Sequence, residues 1–443
     1  MKPTADTPTQ DANRAIVLHP LVGAGHGARD VDARLQEATG LALALGLDVA
    51  HAEAAQLRQV SPRTLIGAGR VERLKQHVDE DGVGVIVIDA ALSPVQQRNL
   101  EQDTGAKVID RTGLILEIFG LRARTKEGRL QVELARQGYE RSRLVRTWTH
   151  LERQRGGLGK TGGPGETQIE LDRRQIADRI VKLKRELEDV RRTRGLQRRA
   201  RARAGLPAVV LVGYTNAGKS TLFNRLTQAG VLAKDMLFAT LDPTARAVKL
   251  PSGRSVVMSD TVGFISDLPT ELVAAFRATL EAVTEADLLI HVRDIAHAES
   301  DQQRADVMSV LAQLAKDADG KSPPVLEAWN KIDLLDEATR EARTRRAHAL
   351  EEGALAPVAI SAATGEGMGA LLAAIDRAAF AATRIVTLTL APGDGKTRAR
   401  IAAVGRILEE SADESGVMTL KAELSVEDAA RLAPLESPRA AAE

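Results

Sequence analysis

Apolar and polar positions change their spacing several times along this chain. Ala15-Ile-Val-Leu18, Val85-Ile-Val-Ile88 and Lys107-Val-Ile-Asp110 are short runs of strand length. Between them, Val31 to Leu45 and Pro94 to Asp103 carry helical spacing behind residues that suit helix N-termini. Strands alternating with helices predict an α/β unit with a parallel sheet over residues 15–140, preceded by a polar, disordered tail at 1–14. Gly67-Ala-Gly69 has too few glycines for a dinucleotide loop and reads as a turn. The glycine-rich stretch Gly156 to Glu166 reads as a loop.

From Ile169 the period becomes seven: Ile169, Ile176, Leu183 and Val190, with Ile180 and Leu187 four residues after two of them. This a/d seam fits a dimeric coiled coil or one arm of an intramolecular helical hairpin. The hairpin is favoured, its partner being the helical stretch ending near Arg153, so residues 141–206 form a helical arm. Gly205-Leu-Pro207 breaks it. Strand, loop and helix then repeat over 207–383, with strands at Ala208–Val212, Val256–Ser259, Leu288–Val292, Val325–Trp329 and Val358–Ile360. Residues 384–443 predict a small α/β appendage: an apolar run at Ile385–Leu390, a helix near Arg398–Glu409, a strand at Val417–Leu424 and a frayed end from Ser437. The fold class is multidomain α/β.

Composition changes this picture little. Hydrophobic content is 44%, charged content 27% and aromatic content 2%, so the cores are aliphatic. Cysteine is absent, which excludes disulfide scaffolds and thiolate metal sites. No apolar run reaches the length needed to span a bilayer, and the first residues lack the apolar segment of a signal peptide. A soluble, cytoplasmic and monomeric protein is expected. Net charge is +1, yet Arg191 to Arg203 holds seven arginines and no acidic residue. Such a run is either a solvated helix end or a phosphate-contacting surface.

The informative chemistry lies after Val212. Gly213-Tyr214-Thr215-Asn216-Ala217-Gly218-Lys219-Ser220 fits the phosphate-loop pattern and follows a strand, as such a loop must. Its glycines let backbone N–H groups curl around phosphates, Lys219 supplies charge to them, and the Ser220 hydroxyl is a Mg²⁺ ligand. Thr221 continues into a helix whose N-terminus faces the same phosphates. Asp260-Thr261-Val262-Gly263 ends a strand, with Asp260 placed to hold Mg²⁺ through water and Gly263 to sense a γ-phosphate. Asn330-Lys331-Ile332-Asp333 follows another; the Asp333 carboxylate accepts from two guanine donors that adenine lacks. Asn330 ties this loop to the phosphate loop, and the Lys331 stem covers the base. Ser361-Ala362-Ala363 offers backbone N–H groups to the guanine carbonyl. Within Phe238-Ala239-Thr240-Leu241-Asp242, Thr240 is chosen as the switch threonine and Mg²⁺ ligand, with Thr244 as runner-up. These elements in this order predict a GTP phosphohydrolase that binds GTP and GDP, with Lys219, Thr240, Asp260 and Gly263 in the catalytic centre.

Two details shape the expected mechanism. The position after Gly263, where Ras-like enzymes carry a water-orienting glutamine, is Phe264. Slow intrinsic hydrolysis is expected, accelerated by a partner that orders the switch segments, about 233–244 and 263–268. Asn216 is either an ordinary loop former or a ligand for K⁺ beside the phosphates.

The chain resembles the HflX family of translational GTPases. The resemblance rests on Asp110-Arg-Thr-Gly-Leu-Ile-Leu-Glu-Ile-Phe119, Glu127-Gly-Arg-Leu-Gln-Val-Glu-Leu-Ala135, Gly162-Gly-Pro-Gly-Glu166, Glu170-Leu-Asp-Arg-Arg174, Phe238 to Thr244 and Asp260 to Phe264. It covers nearly the whole chain, although Arg143 to His150 departs from the Pro- and Gly-containing form of many relatives. It implies binding to the large (50S) ribosomal subunit and its rRNA, with a role in splitting or rescuing ribosomes under stress. The arginine run, with Lys182, Lys184 and Arg185, suits rRNA phosphates, and contact should be salt-dependent. Two alternatives stay open: a GTPase of ribosome biogenesis, and an anti-association module in which hydrolysis only drives release.

Overall fold

The computed structural model describes residues 11–22, 30–154, 164–203, 206–228, 237–238, 241, 244–266, 282–317, 322–349, 355–381 and 383–432. Side chains of 144–154, 164–169, 191, 194–203, 317, 348–349 and 427 lie outside the description.

Strands β1 (Asp11–Val22), β2 (Asp48–Leu57), β3 (Val83–Ile88) and β4 (Lys107–Asp110) form a parallel sheet in the order β2-β1-β3-β4. Because side chains alternate across a strand, Ala15 and Val17 enter one core while Ile16 and Leu18 enter another. Helices α1 (Val31–Leu45) and α4 (Arg111–Arg122) cover the first face; α2 (Ala68–Asp81) and α3 (Pro94–Thr104) cover the second. Their N-termini are fixed by side chains. Asp30 caps α1, Ser93 and Gln96 form a capping box on α3, and Asp110 accepts from the Gly113 N–H at 2.8 Å to start α4. The strand β1 begins at Asp11, ahead of the apolar run, because the Asp11 N–H donates to the Gly82 carbonyl at 2.9 Å. Residues 11–14 are thus strand, where a tail was expected. Gly67 is the N-cap of α2, so Gly67-Ala-Gly69 opens a helix and is no simple turn.

Helices α5 (Lys126–Gln154) and α6 (Pro164–Arg203) pack on each other. Ile180, Leu183 and Leu187 are buried along the seam, and Arg179 meets Glu133 at 3.8 Å. This is the intramolecular hairpin, in one chain. Residues 156–163 of the glycine-rich stretch lie outside the described residues, while Pro164 to Glu166 form the first turn of α6 instead of a loop. Proline suits that position, since its missing N–H would be unbonded there anyway.

A six-stranded sheet follows in the order β10-β9-β8-β5-β7-β6, from β5 (Ala208–Val212), β6 (Thr244–Lys249), β7 (Ser255–Asp260), β8 (Leu288–Asp294), β9 (Val325–Asn330) and β10 (Val358–Ala359). All pairs are parallel except β6 with β7. Every residue of β5 is buried, the expected state of a central parallel strand. Burying each such Val or Leu contributes about 1.5–3 kcal/mol, which anchors the loop that leaves its end. Helices α7 (Lys219–Thr227), α8 (Ser300–Asp317), α9 (Glu337–Ala349) and α10 (Met368–Ala379) belong to this unit.

The C-terminal sheet is antiparallel, β11-β13-β12, from β11 (Thr383–Leu390), β12 (Gly405–Ala412) and β13 (Met418–Ser425), with α11 (Gly395–Val404) and α12 (Val426–Leu432). The helix expected near Arg398–Glu409 ends at Val404. Gly405 leaves the helix in extended conformation, and residues 405–409 enter β12.

Candidate nucleotide site

The phosphate loop leaves β5 at Gly213, whose φ of 146° and close approach to the Val292 carbonyl leave no room for a Cβ. Asn216 takes φ 58°, a left-handed value asparagine tolerates better than most residues. Gly218, at φ 93°, lies against Asn330 Nδ2, and a Cβ there would collide with it. Lys219 then opens α7, almost fully buried, with its ammonium donating to the Tyr214 carbonyl at 2.6 Å. Burial pushes the Lys219 pKa down to about 8, partly opposed by the nearby Asp260 charge. A buried cation at the start of a helix that follows a glycine loop is primed for an anion. The Ser220 hydroxyl donates to Asp260 Oδ2 at 2.7 Å, which brings a hydroxyl and a fully buried carboxylate together at the ends of two elements.

The neighbouring motifs converge on this loop. Asn330 is buried; its Nδ2 donates to the Ala217 carbonyl at 2.8 Å and its Oδ1 accepts from the Ala362 N–H at 2.9 Å. One amide thereby fixes three loops. Lys331 is left-handed at φ 66°, and its ammonium pairs with Asp294 at 2.8 Å. Ile332 is buried under the turn, and Asp333 presents an exposed carboxylate. Ser361 is buried, with its N–H donated to the Glu366 carbonyl at 3.0 Å; Ala362 is buried, whereas Ala363 is exposed. Arg225 of α7 donates to the Ala362 carbonyl at 2.7 Å and also to that of Ala363. The sequence alone does not single out this arginine.

After β7, the Thr261 hydroxyl donates to the Leu211 carbonyl at 2.6 Å. Gly263 passes so close to Thr215 and Lys219 Nζ that a Cβ would lie 2.8–2.9 Å from them. Phe264 is buried in the core, and its backbone joins the phosphate loop: Thr215 N–H donates to its carbonyl at 2.7 Å, and its own N–H to Gly213 at 3.1 Å. Ala239, Thr240 and Asp242 lie outside the described residues, as does the second switch segment beyond Ser266. Thr244, at the start of β6, pairs in register with Asp260, and its hydroxyl is buried with no hydrogen-bond partner.

The N-terminal unit reaches into the same place. Tyr214 OH donates to Glu37 Oε2 at 2.6 Å, and Ser266 Oγ to Glu37 Oε1 at 2.6 Å. Arg111 donates to the Ser266 carbonyl at 2.8 Å, to Glu37 and, at 2.5 Å, to Asp89 Oδ1. Burial would raise the Asp89 pKa, but the His19 hydrogen bond and the Arg111 charge hold it below the ordinary aspartate value. Burial drives the Tyr214 phenol upward, and the Glu37 charge adds to this. Phe238, Leu241, Val262 and Ile265 share a core with Leu114, Ile115 and Phe119, the rings of Phe119 and Phe238 meeting edge to face at 4.7 Å. Sequence reasoning missed Glu37, Asp89 and Ser266. Arg111 was visible only inside the Asp110 to Phe119 run.

Residues 32–120, 122–201 and 208–331 match families described as GTP-binding GTPase N-terminal, GTP-binding GTPase Middle Region and 50S ribosome-binding GTPase. The chain is 50% identical over 401 residues to GTPase HflX of Magnetococcus marinus, covering 90% of each. The chain belongs to the HflX family of GTPases. It is also 43% identical to GTPase HflX of Escherichia coli, over 91% of this chain and 92% of that one. A solved structure titled crystal structure of SsGBP and GDP complex is similar at 24% identity, with a TM-score of 0.48, over 83% of this chain and 98% of that chain. As an HflX GTPase the protein binds GTP and hydrolyses it to GDP and phosphate, on a P-loop domain whose sheet is mostly parallel. Among the described residues, no helix is long and apolar enough to cross a membrane.

Proposed function

We propose that this GTPase docks on the 50S subunit, contacts its rRNA, acts in splitting or recycling ribosomes in the cytoplasm, and hydrolyses GTP fast only when docked. One observation carries the second half of this reading: Phe264, directly after Gly263, is buried in the core with its backbone bonded to the phosphate loop. No polar side chain stands there to orient water, so the missing element must come from outside or from reordered switches. Docking is supported by the match of residues 208–331 to the 50S ribosome-binding GTPase family and by the seven arginines of 191–203.

The residues present suit nucleotide and magnesium. The glycine contacts leave a cradle of backbone, Lys219 is a buried cation, and Ser220 with Asp260 offers the hard oxygen donors magnesium prefers. Magnesium bound there would neutralise charge developing on the phosphates. Lys219 would exchange the Tyr214 carbonyl for phosphate oxygens, Gly263 would donate its N–H to the γ-phosphate, and Asp333 would read guanine. Ser361 and Ala362 already donate their N–H groups elsewhere, so the base-facing donor of this turn is assigned to Ala363. Thr240 is retained as the switch ligand. Thr244, opposite Asp260, is its rival, and the two alanine variants decide between them: loss of magnesium-dependent hydrolysis marks the ligand. Asn216 is proposed to hold K⁺; equal rates in K⁺ and Na⁺ would remove that role.

Sedimentation of 50S subunits with the protein and non-hydrolysable GTP tests the docking. Cosedimentation at low salt, lost at high salt, is expected. No cosedimentation at low salt would refute it. If a hydrolysis-dead Asp260→Ala protein still splits ribosomes and only fails to leave, hydrolysis serves release alone.

A further inference from the structure

The N-terminal unit carries a cluster of ligating side chains that the GTPase reaction does not use. Among the described residues, His51, His77 and Asp81 are the one group of three such side chains with all ligating atoms within 4.8 Å of one another. His51 lies on β2, the edge strand of the sheet, in register with Ile16. His77 and Asp81 are one helical turn apart on α2, so both project from the same face. Val71, Leu74 and Val78 are buried along the adjoining face of that helix and fix its backbone, so the pair is presented by a rigid element.

The contacts are close to those of a metal site. Asp81 Oδ2 stands 2.9 Å from His51 Nε2 and 2.8 Å from His77 Nδ1, and the two rings lie 4.2 Å apart at a 37° tilt. Two imidazoles from separate elements thus aim one nitrogen each at one carboxylate oxygen. A tetrahedral ion with bonds of about 2.0–2.1 Å sets neighbouring donors about 3.3 Å apart. The two Asp81 contacts need to open by only a few tenths of an ångström. The side chains are 33–40% exposed, so small torsional shifts suffice and an ion can enter from solvent.

We propose that His51, His77 and Asp81 bind one divalent transition-metal ion of the zinc class, with water completing its coordination. Each imidazole gives up the proton that its facing nitrogen now donates to Asp81, released to solvent or shifted to the other ring nitrogen, and coordinates through the freed nitrogen as a neutral ring, while Asp81 binds as a carboxylate. Two nitrogen donors favour Zn²⁺, Co²⁺ or Ni²⁺ and disfavour Mg²⁺ or Ca²⁺. The Ser220–Asp260 pair, with oxygen donors only, has the reverse preference. The two sites therefore divide the metals by ligand chemistry.

The test is equilibrium dialysis of the full, nucleotide-free, chelator-treated chain against ZnCl₂, with bound zinc measured by mass spectrometry. One saturable zinc per chain is expected. His51→Ala and His77→Gln should each weaken it at least tenfold, and His297→Ala should leave it unchanged. Retained circular dichroism and GDP binding show that each variant is folded. Cobalt should give the visible absorption of a low-symmetry nitrogen-ligated ion, lost in the same variants. The proposal falls if zinc uptake is not saturable, or if a folded His51→Ala/His77→Gln double variant binds as the parent does.

Discussion

Removing the Arg111 charge should uncouple the N-terminal unit from the nucleotide loop. In Arg111→Met the stem volume is nearly kept while the guanidinium is lost. Arg111 is only 8% exposed and bridges Asp89, Glu37 and the Ser266 carbonyl. Its removal leaves two carboxylates facing each other in a poorly solvated place. Breaking a buried ion pair from one side costs about 3–5 kcal/mol; Glu37 keeps the Tyr214 and Ser266 donors, which argues for the lower end. Urea unfolding of Arg111→Met, Glu37→Gln and the double variant gives the coupling directly. A loss near 3 kcal/mol is expected for Arg111→Met, with the double variant less than additive by at least about 1 kcal/mol, because Glu37→Gln removes one of the stranded charges. A loss under about 1 kcal/mol, or strict additivity, would refute the claim that this network joins the two units.

Other consequences are as direct. Gly218→Ala puts a Cβ on Asn330 Nδ2 at a left-handed φ, so GDP affinity should fall by more than a hundredfold in calorimetry while the far-UV spectrum is kept. For Asp333→Asn, losing two charge-assisted hydrogen bonds of about 1.5–3 kcal/mol each predicts GTP binding at least a hundredfold weaker; an unchanged dissociation constant would sink the guanine assignment. Lys219 has a folded pKa near 8, below its ordinary 10.5, so the folded state disfavours its charge. That cost, about 3 kcal/mol, is fully present below pH 8 and fades as pH rises towards 10.5. Relative to Lys219→Met, the nucleotide-free protein should therefore gain stability across that window. GDP binding should take up a proton above pH 8, visible as buffer-dependent heats.

Much of the site was legible because it depends on residue type at fixed spacing. A phosphate loop needs Gly213 and Gly218 where backbone must approach backbone, and a strand such as β5 that is apolar throughout announces its own burial. The same holds for β3, which has no polar side chain, and the seven-residue spacing made the seam of Ile180, Leu183 and Leu187 equally legible. Where alternation is weak, the pattern fails. The strand β2 runs through Ala-His-Ala-Glu-Ala, and its place comes from parallel pairing with β1. Residues 405–409 looked helical because Arg406, Leu408 and Glu409 are good helix formers; pairing with β13 overrides that preference. Glu37, Asp89 and Ser266 were invisible because they meet at Arg111 across 74, 22 and 155 residues of sequence, and nothing local marks such a meeting. Phe264 was read as a missing glutamine. The structure adds that it is a core residue, which ties the segment after Gly263 to the phosphate loop.

The most direct test of the account is single-turnover GTP hydrolysis by the full chain at low salt, with and without purified 50S subunits. A partner-dependent switch predicts acceleration of at least tenfold, on the order of 1.4 kcal/mol or more off the barrier, lost at high salt. Equal rates with and without 50S subunits, under conditions where the two cosediment, would contradict it.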